Sequence, residues 1–332
     1  IVGDAAAEEV GTGGWRYKAT QLADAIVCHV PVGAERDDYM TREIMAWAES
    51  GKMFCSAEEG SWVDARIDHA MPDRQPIPKP DLRSMLRPIG PVGVFCASNF
   101  PLAFSVAGGD TASALASGCP VIVKAHHAHP GAALAVGHAV IAAVKSCNLP
   151  EGTFSLLYGG GRTVGQRLVK HPALKAVGFT GSRSGGRALF DLAAERPEPI
   201  PVYAEMSSVN PIFLLPSVLS DRSEEFAAGL QGSAVMGVGQ FCTNPGVILL
   251  LKGNDTDAFV QATSGKFAEA PVGTMLTEAV ENGMERSVGT LKGAGAEVLT
   301  GGERGGGNGF SYQNTLLKVD GATFLQDPEA LQ

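Results

Sequence analysis

VGVFCASNFPLAFSVAGGDTASALASGCPVIVKA, residues 92–125, joins two short apolar runs through a longer segment of small residues. The first run, 92–97, and the last, 119–125, are Val- and Ile-rich and too short for a helix, so each predicts a buried strand. Between them, 101–117 predicts a helix with Pro101 near its first turn, where a missing N–H costs nothing. A strand, a helix and a strand in that order form a crossover unit with the two strands parallel.

The alternation continues downstream. A helix of small apolar residues is predicted over 131–147, a strand over 153–158, a helix over 163–170, a strand over 174–179 and a helix over 185–194. Short strands follow at 202–204 and 212–215, then a helix at 224–237, a buried strand at 247–252, and helices near 257–267 and 278–291. GGERGGGNG, 301–309, reads as a surface turn. The pattern implies a parallel sheet covered by helices on both faces, with ligands bound beyond the C-terminal ends of its strands. It breaks near 205–211, where a change of domain is expected. Upstream, 64–90 holds five prolines, which exclude a helix over most of it and predict an extended arm or edge hairpin. Nearer the start, 41–50 fits an amphipathic helix and 25–30 a buried strand or helix.

The 332 residues are 45% hydrophobic and 18% charged with 42 glycines, which suits a two-domain α/β enzyme and not a disordered chain. A net charge of −9 argues against a nucleic-acid or anionic-membrane partner. No apolar run reaches membrane-spanning length and no secretory signal pattern is present. The first residue is Ile1, so the native start, with any targeting segment, is expected upstream. The cysteines (Cys28, Cys55, Cys96, Cys119, Cys147 and Cys242) show no C-x-x-C spacing, which predicts a reducing cytoplasmic setting. Nothing in the sequence calls for a metal.

Candidate residues lie at the ends of the predicted strands. Lys124 ends CPVIVK and can reach a ribose hydroxyl or phosphate, or stand solvated. The turn from Gly159 through Gly161 to Gly165 opens a helix and lets backbone approach a ligand, or is only a turn. Gly181 permits a tight turn after the next strand, and Ser182 can cap the following helix or bind a phosphate oxygen. Asn99 can donate its amide to a developing oxyanion, or serve as a turn former. Glu205, among apolar neighbours, fits either a base whose pKa burial raises or a buried salt bridge. Cys242 is set apart from the other cysteines by its polar, Gly- and Pro-bounded turn, GQFCTNPG, 239–246.

Taken together, SNFPLA (98–103), VIVKAH (121–126), GFTGS (178–182), AEM (204–206) and GQFCTNPG (239–246) resemble the aldehyde dehydrogenase superfamily, over about four-fifths of the chain. PDRQPIPKPDLR (72–83) and ERPEPIPVYAEM (195–206) resemble its α-ketoglutaric semialdehyde dehydrogenase branch. The resemblance implies a Rossmann-type parallel-sheet cofactor domain within 1–206, a bridging arm over 64–90 and an α/β catalytic domain, 207–332, truncated at its C-terminus. It implies that Cys242 attacks the aldehyde, that Asn99 and the Cys242 N–H hold the oxyanion, and that Glu205 activates the water that hydrolyses a thioester. Lys124, Ser182 and the glycine turns resemble the family's cofactor contacts. His127 stands where NAD-preferring members carry an acid, so NADP as well as NAD is expected. The implied partners are a small aldehyde and a second copy or copies, as a homodimer or homotetramer. Two other readings use the same residues: a thiol esterase or amidase built on Cys242 and Glu205, and a catalytically incomplete binding or assembly subunit.

Overall fold

The computed structural model describes residues 66–331, so the segments 25–30 and 41–50 and the first two residues of the arm lie outside the described residues. Compact units divide between Met206 and Ser207. In the first, β1 (Arg66–Asp68) and β2 (Leu82–Ser84) pair antiparallel, and Met71 bridges Lys79 between them. This is the hairpin that the prolines predict. Its apolar residues Ile67, Met71, Ile77, Leu82, Met85 and Leu86 are all exposed.

The body of the first unit is a five-stranded sheet. Its strands are β3 (Val92–Phe95), β4 (Val121–Lys124), β5 (Phe154–Leu157), β6 (Ala176–Gly181) and β7 (Val202–Met206), in the order β5-β4-β3-β6-β7, all parallel. The connecting helices are α1 (Gly109–Ala116), α2 (Pro130–Ser146), α3 (Gln166–Lys170) and α4 (Arg183–Ala194). On one face Val94, Val121 and Val123 pack with Val136, Val140 and Ala143 of α2. On the other, Phe95 and Val177 pack with Val169, Leu189 and Ala193. Burial of both faces explains why these strands read as unbroken apolar runs. Helix α2 lies close to the sheet because Gly137 has no side chain: a Cβ there would stand 2.5 Å from Leu156 Cδ2.

One helix is shorter than its sequence suggests. Residues 101–108 form turns, and α1 starts only at Gly109. Gly108 is pressed against the preceding backbone, where a Cβ would stand 2.5 Å from Ala103 O, and Gly109 N–H donates back to the same carbonyl. The chain folds on itself there and cannot extend into a helix.

In the second unit β8 (Ile212–Leu214) pairs parallel with β9 (Ile248–Leu250), and α5 (Pro216–Val235) and α6 (Asn254–Glu269) pack Leu219, Ala227 and Phe259 against the pair. Helix α5 begins well before 224 because Pro216 fits its first turn. The β9 segment is not the buried strand that its composition suggests. Leu249 is 42% and Leu251 63% exposed, because only one face of the pair meets helices. Helix α7 (Glu278–Gly293), β10 (Glu297–Thr300), β11 (Leu316–Lys318) and α8 (Gly321–Gln326) complete the unit. The glycine-rich turn 301–309 is tied to α7 by Arg304, which donates to Glu281 at 2.8 Å and also to Asn282 and Glu285. No helix among the described residues is long and apolar enough to cross a membrane.

Arg196 is a buried charge in the first unit. Its guanidinium donates to Val169 O at 2.6 Å, Leu174 O at 3.1 Å and Pro172 O at 3.3 Å, which joins the end of α4 to α3 and the turn before β6. Arg196→Met is expected to strand those carbonyls and cost about 2–4 kcal/mol in urea unfolding. Arg196→Lys should recover little of it, since one ammonium cannot span three acceptors in a planar fork.

Candidate active site

Sheet register decides where the first unit's candidates stand. Phe95 is level with Lys124 on one side and Phe179 on the other, Lys124 with Leu157, and Phe179 with Ala204. Lys124 therefore ends its strand one residue short of the level of Glu205, at the same C-terminal edge. The Asn99 turn leaves that edge from β3, and Ser182 leaves it from β6. Four separated segments are thereby brought to one rim.

The Asn99 turn is fixed from both ends. Ala97 N–H donates to Phe104 O at 2.8 Å, and His129 Nε2 lies 2.7 Å from Ala97 O. Asn99 itself is half-buried. Lys124 is not a solvated strand end: it is 7% exposed, and no side-chain acceptor bonds it among the described residues. Burial pushes its pKa down. Ser182 takes up its capping role, with its Oγ accepting from Gly185 N–H at 3.2 Å. Gly161 has open space over its Cα, whereas Gly165 is buried beneath the Phe95 ring and Gly181 lies against Phe179. His127 is exposed and stacks on His126 at 4.3 Å between ring centroids.

Glu205 departs from the expectation of burial. It lies on edge strand β7 with its side chain exposed, alongside the 70% exposed Tyr203. The alternation of β7 turns both residues away from the core. Near it lies Asp110, whose carboxyl is shifted upward. The residue as a whole is exposed, but its carboxyl rests on the bare Cα of Gly178, and desolvation there first, then the Glu205 charge, raises its pKa. Sequence reasoning missed Asp110, since nothing local shows that an acid in the first turn of α1 lies against Gly178. Cys96 is buried and desolvation pushes its thiol up, so it is poorly suited to be a nucleophile.

In the second unit Cys242 is half-buried in a loop that runs from the end of α5 to β9. The loop is pinned along its length. Gln240 Oε1 accepts from Leu276 N–H at 3.0 Å, Asn244 Nδ2 donates to Ala234 O at 2.7 Å, and Gly246 N–H donates to Val209 O at 2.8 Å. Asn210 Nδ2 donates to the carbonyls of Cys242, at 2.7 Å, and Asn244, at 2.8 Å, and Ser208 Oγ also donates to Cys242 O. Among the described residues, the N–H groups of Cys242 and Thr243 have no acceptor.

Ser207, Asn210 and Val238, which flank this loop, all have left-handed φ, at 57°, 46° and 60°. For β-branched Val238 this conformation costs on the order of 1–3 kcal/mol. Its packing with Met275, Val288 and Tyr312 holds it there. Asn210 and Ser208 were not singled out from sequence; the only local signal is an Asn before a Pro, a common turn former. No group of three or more His, Cys, Asp or Glu among the described residues is placed to hold a metal ion.

Comparison with known proteins gives these features a context. The sequence profile described as the aldehyde dehydrogenase family matches residues 42–329. The chain is 50% identical over 278 residues to alpha-ketoglutaric semialdehyde dehydrogenase 2 of Azospirillum brasilense, which covers 81% of this chain and 51% of that protein. It is 51% identical over 203 residues to alpha-ketoglutaric semialdehyde dehydrogenase of Acinetobacter baylyi, covering 61% of this chain and 38% of that one. The chain thus spans about half or less of the curated relatives it matches. Among solved structures, 3,6-anhydro-L-galactose dehydrogenase in complex with NAP superposes with a TM-score of 0.74 at 24% identity, over 96% of this chain and 69% of that one. An NAD+ complex of aldehyde dehydrogenase from Bacillus cereus does so with a TM-score of 0.71 at 21% identity, over 93% and 63%. At those identities the likeness is one of fold.

Two outcomes follow from the site's geometry. A Cβ on Gly246 would stand 2.5 Å from Val209 O, so Gly246→Ala is expected to destabilise the second unit by about 1–3 kcal/mol in urea unfolding. His126 is lowered to about 4, by burial first and then by His127, Lys124 and His129. Its folded pKa is below the ordinary 6.5, so the unfolded chain binds more protons between those values and stability falls as pH drops through that window. His126→Gln should flatten the dependence of melting temperature on pH there.

Proposed function

Because the chain belongs to the aldehyde dehydrogenase family, we propose that it oxidises an aldehyde, α-ketoglutaric semialdehyde or a similar semialdehyde, to the carboxylic acid with NADP or NAD. The observation that carries the reading is the Cys242 loop: a half-buried thiol on a backbone pinned by its neighbours, with two N–H groups that have no acceptor among the described residues. Identity of about half to two semialdehyde dehydrogenases supports the substrate class.

In the proposed cycle the Cys242 thiolate adds to the aldehyde carbonyl and forms a C–S bond. The carbonyl oxygen gains the negative charge, which the Cys242 N–H and the Asn99 amide stabilise. When bound, the nicotinamide supplies the hydride acceptor that turns the adduct into a thioester on Cys242. Glu205 then takes a proton from water, the resulting hydroxide attacks the thioester, and the acid leaves as the thiol is restored. Exposure of Glu205 on its strand supports this role, since a base for hydrolysis must meet water.

A dinucleotide fits the residues present. Lys124 is a largely buried residue whose ammonium has no hydrogen-bond acceptor among the described residues, and a ribose or phosphate oxygen would supply one. The open space over Gly161 leaves room for a ligand to approach backbone. His127 puts no carboxylate at the ribose, which supports tolerance of a 2′-phosphate and so of NADP. The exposed apolar side chains of the β1–β2 hairpin support a homodimer or homotetramer, in which a second copy covers them. A catalytic thiolate and the cysteine spacing both suit the cytoplasm.

The test is an assay of the protein with α-ketoglutaric semialdehyde and either cofactor, followed by absorbance of the reduced nicotinamide. Cys242→Ala should lose activity by about 10³-fold or more. Glu205→Gln should retain a burst of one turnover and then stall as the thioester. Ester hydrolysis with no need for nicotinamide would favour the thiol esterase instead. No reduction of either cofactor by any aldehyde would overturn the proposal.

A further inference from the structure

The carbonyl groups of Cys242 and Asn244 belong to the same short loop, and one side chain from another segment serves both. Asn210 has two amide hydrogens, and its Nδ2 lies 2.7 Å from Cys242 O and 2.8 Å from Asn244 O. Ser208, two residues earlier, donates its hydroxyl to the first of these carbonyls and receives Asn210 Nδ2 at 3.2 Å. From these contacts we infer that Asn210, seconded by Ser208, is the positioning residue of the Cys242 nucleophile. The inference rests on the reading of Cys242 given above.

The physical argument has two parts. Donation to two carbonyls that flank Thr243 fixes two peptide planes, the first of which also carries the Thr243 N–H, and so limits how the Cys242 backbone can turn the sulfur. A loop free to reorient would have to be ordered each time the carbonyl is attacked, at about 1–2 kcal/mol per residue. The second part is convergence: Ser208 and Asn210 both donate to Cys242 O, so removal of either leaves that carbonyl held from one side only. The Glu205 and Asn99 roles do not enter this argument, which stays within the second unit.

A plainer role competes. Asn210 has a φ of 46°, and Asn is among the few residues that accept this conformation, so it could serve only to turn the chain. Two variants separate the roles. Asn210→Gly keeps the backbone freedom and removes the side chain; Asn210→Asp keeps the shape and the left-handed tolerance but replaces the donors with acceptors. A turn former would be replaced by either.

The experiment is carried out on the full chain with two readouts: steady-state aldehyde oxidation, and the rate of iodoacetamide alkylation of Cys242 followed by peptide mass spectrometry. Both Asn210 variants are expected to lower kcat about tenfold with KM changed less than about twofold, and to slow Cys242 alkylation by a similar factor. Alkylation of Cys147, in the first unit, should match the parent and so report that the fold is intact. Ser208→Ala should slow Cys242 alkylation about threefold, and Ser208→Thr should restore it. Should both Asn210 variants fail to fold, the serine pair decides alone. Parent-like kcat and alkylation in Asn210→Gly or Asn210→Asp, or parent-like alkylation in Ser208→Ala, would overturn the inference. If the parent oxidises no aldehyde, the proposed function fails, while the alkylation rates still decide the part played by Asn210.

Discussion

Parallel pairing is the constraint on which the first unit depends. A parallel strand cannot be reached by a hairpin, so the chain must cross back over the sheet before each new strand. Every strand therefore starts at one edge and finishes at the other, and whatever follows a strand is delivered to the same rim. Lys124, the Asn99 turn, Ser182 and Glu205 arrive together for this reason, although more than a hundred residues separate the first and last of them. The crossovers must also pack tightly, and the small residues of α2, with Leu156 set against Gly137, are what the short distance requires.

The second unit meets a different requirement with a different device. A nucleophile needs a fixed direction, and a loop containing Gly239 and Gly246 does not hold one by itself. Contacts from three segments outside the loop, at Asn210, Ala234 and Leu276, supply it, and the left-handed Val238 is kept in place by an apolar cluster. Strain and its compensation are thus adjacent: the packing against Val238 offsets the conformational cost it bears.

The sheet was legible because its signals are local. A run such as VIVK has the length and composition of a strand buried on both faces, and a glycine turn marks its end. The features that were not legible are those set by contacts distant in sequence. Residues 101–108 look helical until Gly108 meets the carbonyl of Ala103. Glu205 looks buried by its neighbours, but the alternation of an edge strand turns it outward. The β9 segment reads as core, yet only one side of a two-stranded sheet has helices against it. Asn210 reads as a turn residue, since the carbonyls it serves lie more than thirty positions later. In each case composition conveys what a residue tolerates, while the partner that decides its role lies elsewhere in the chain.

The clasp between Arg304 and α7 has a bearing on how the protein withstands digestion. A glycine-rich surface turn invites proteolysis, and an arginine within it offers a trypsin-like enzyme its preferred side chain. Such an enzyme must draw the guanidinium into its specificity pocket, but Glu281, Asn282 and Glu285 already hold it. Cleavage after Arg304 has to wait until those contacts open, so the rate of nicking at this turn reports the integrity of the α7 surface and not merely the exposure of the turn.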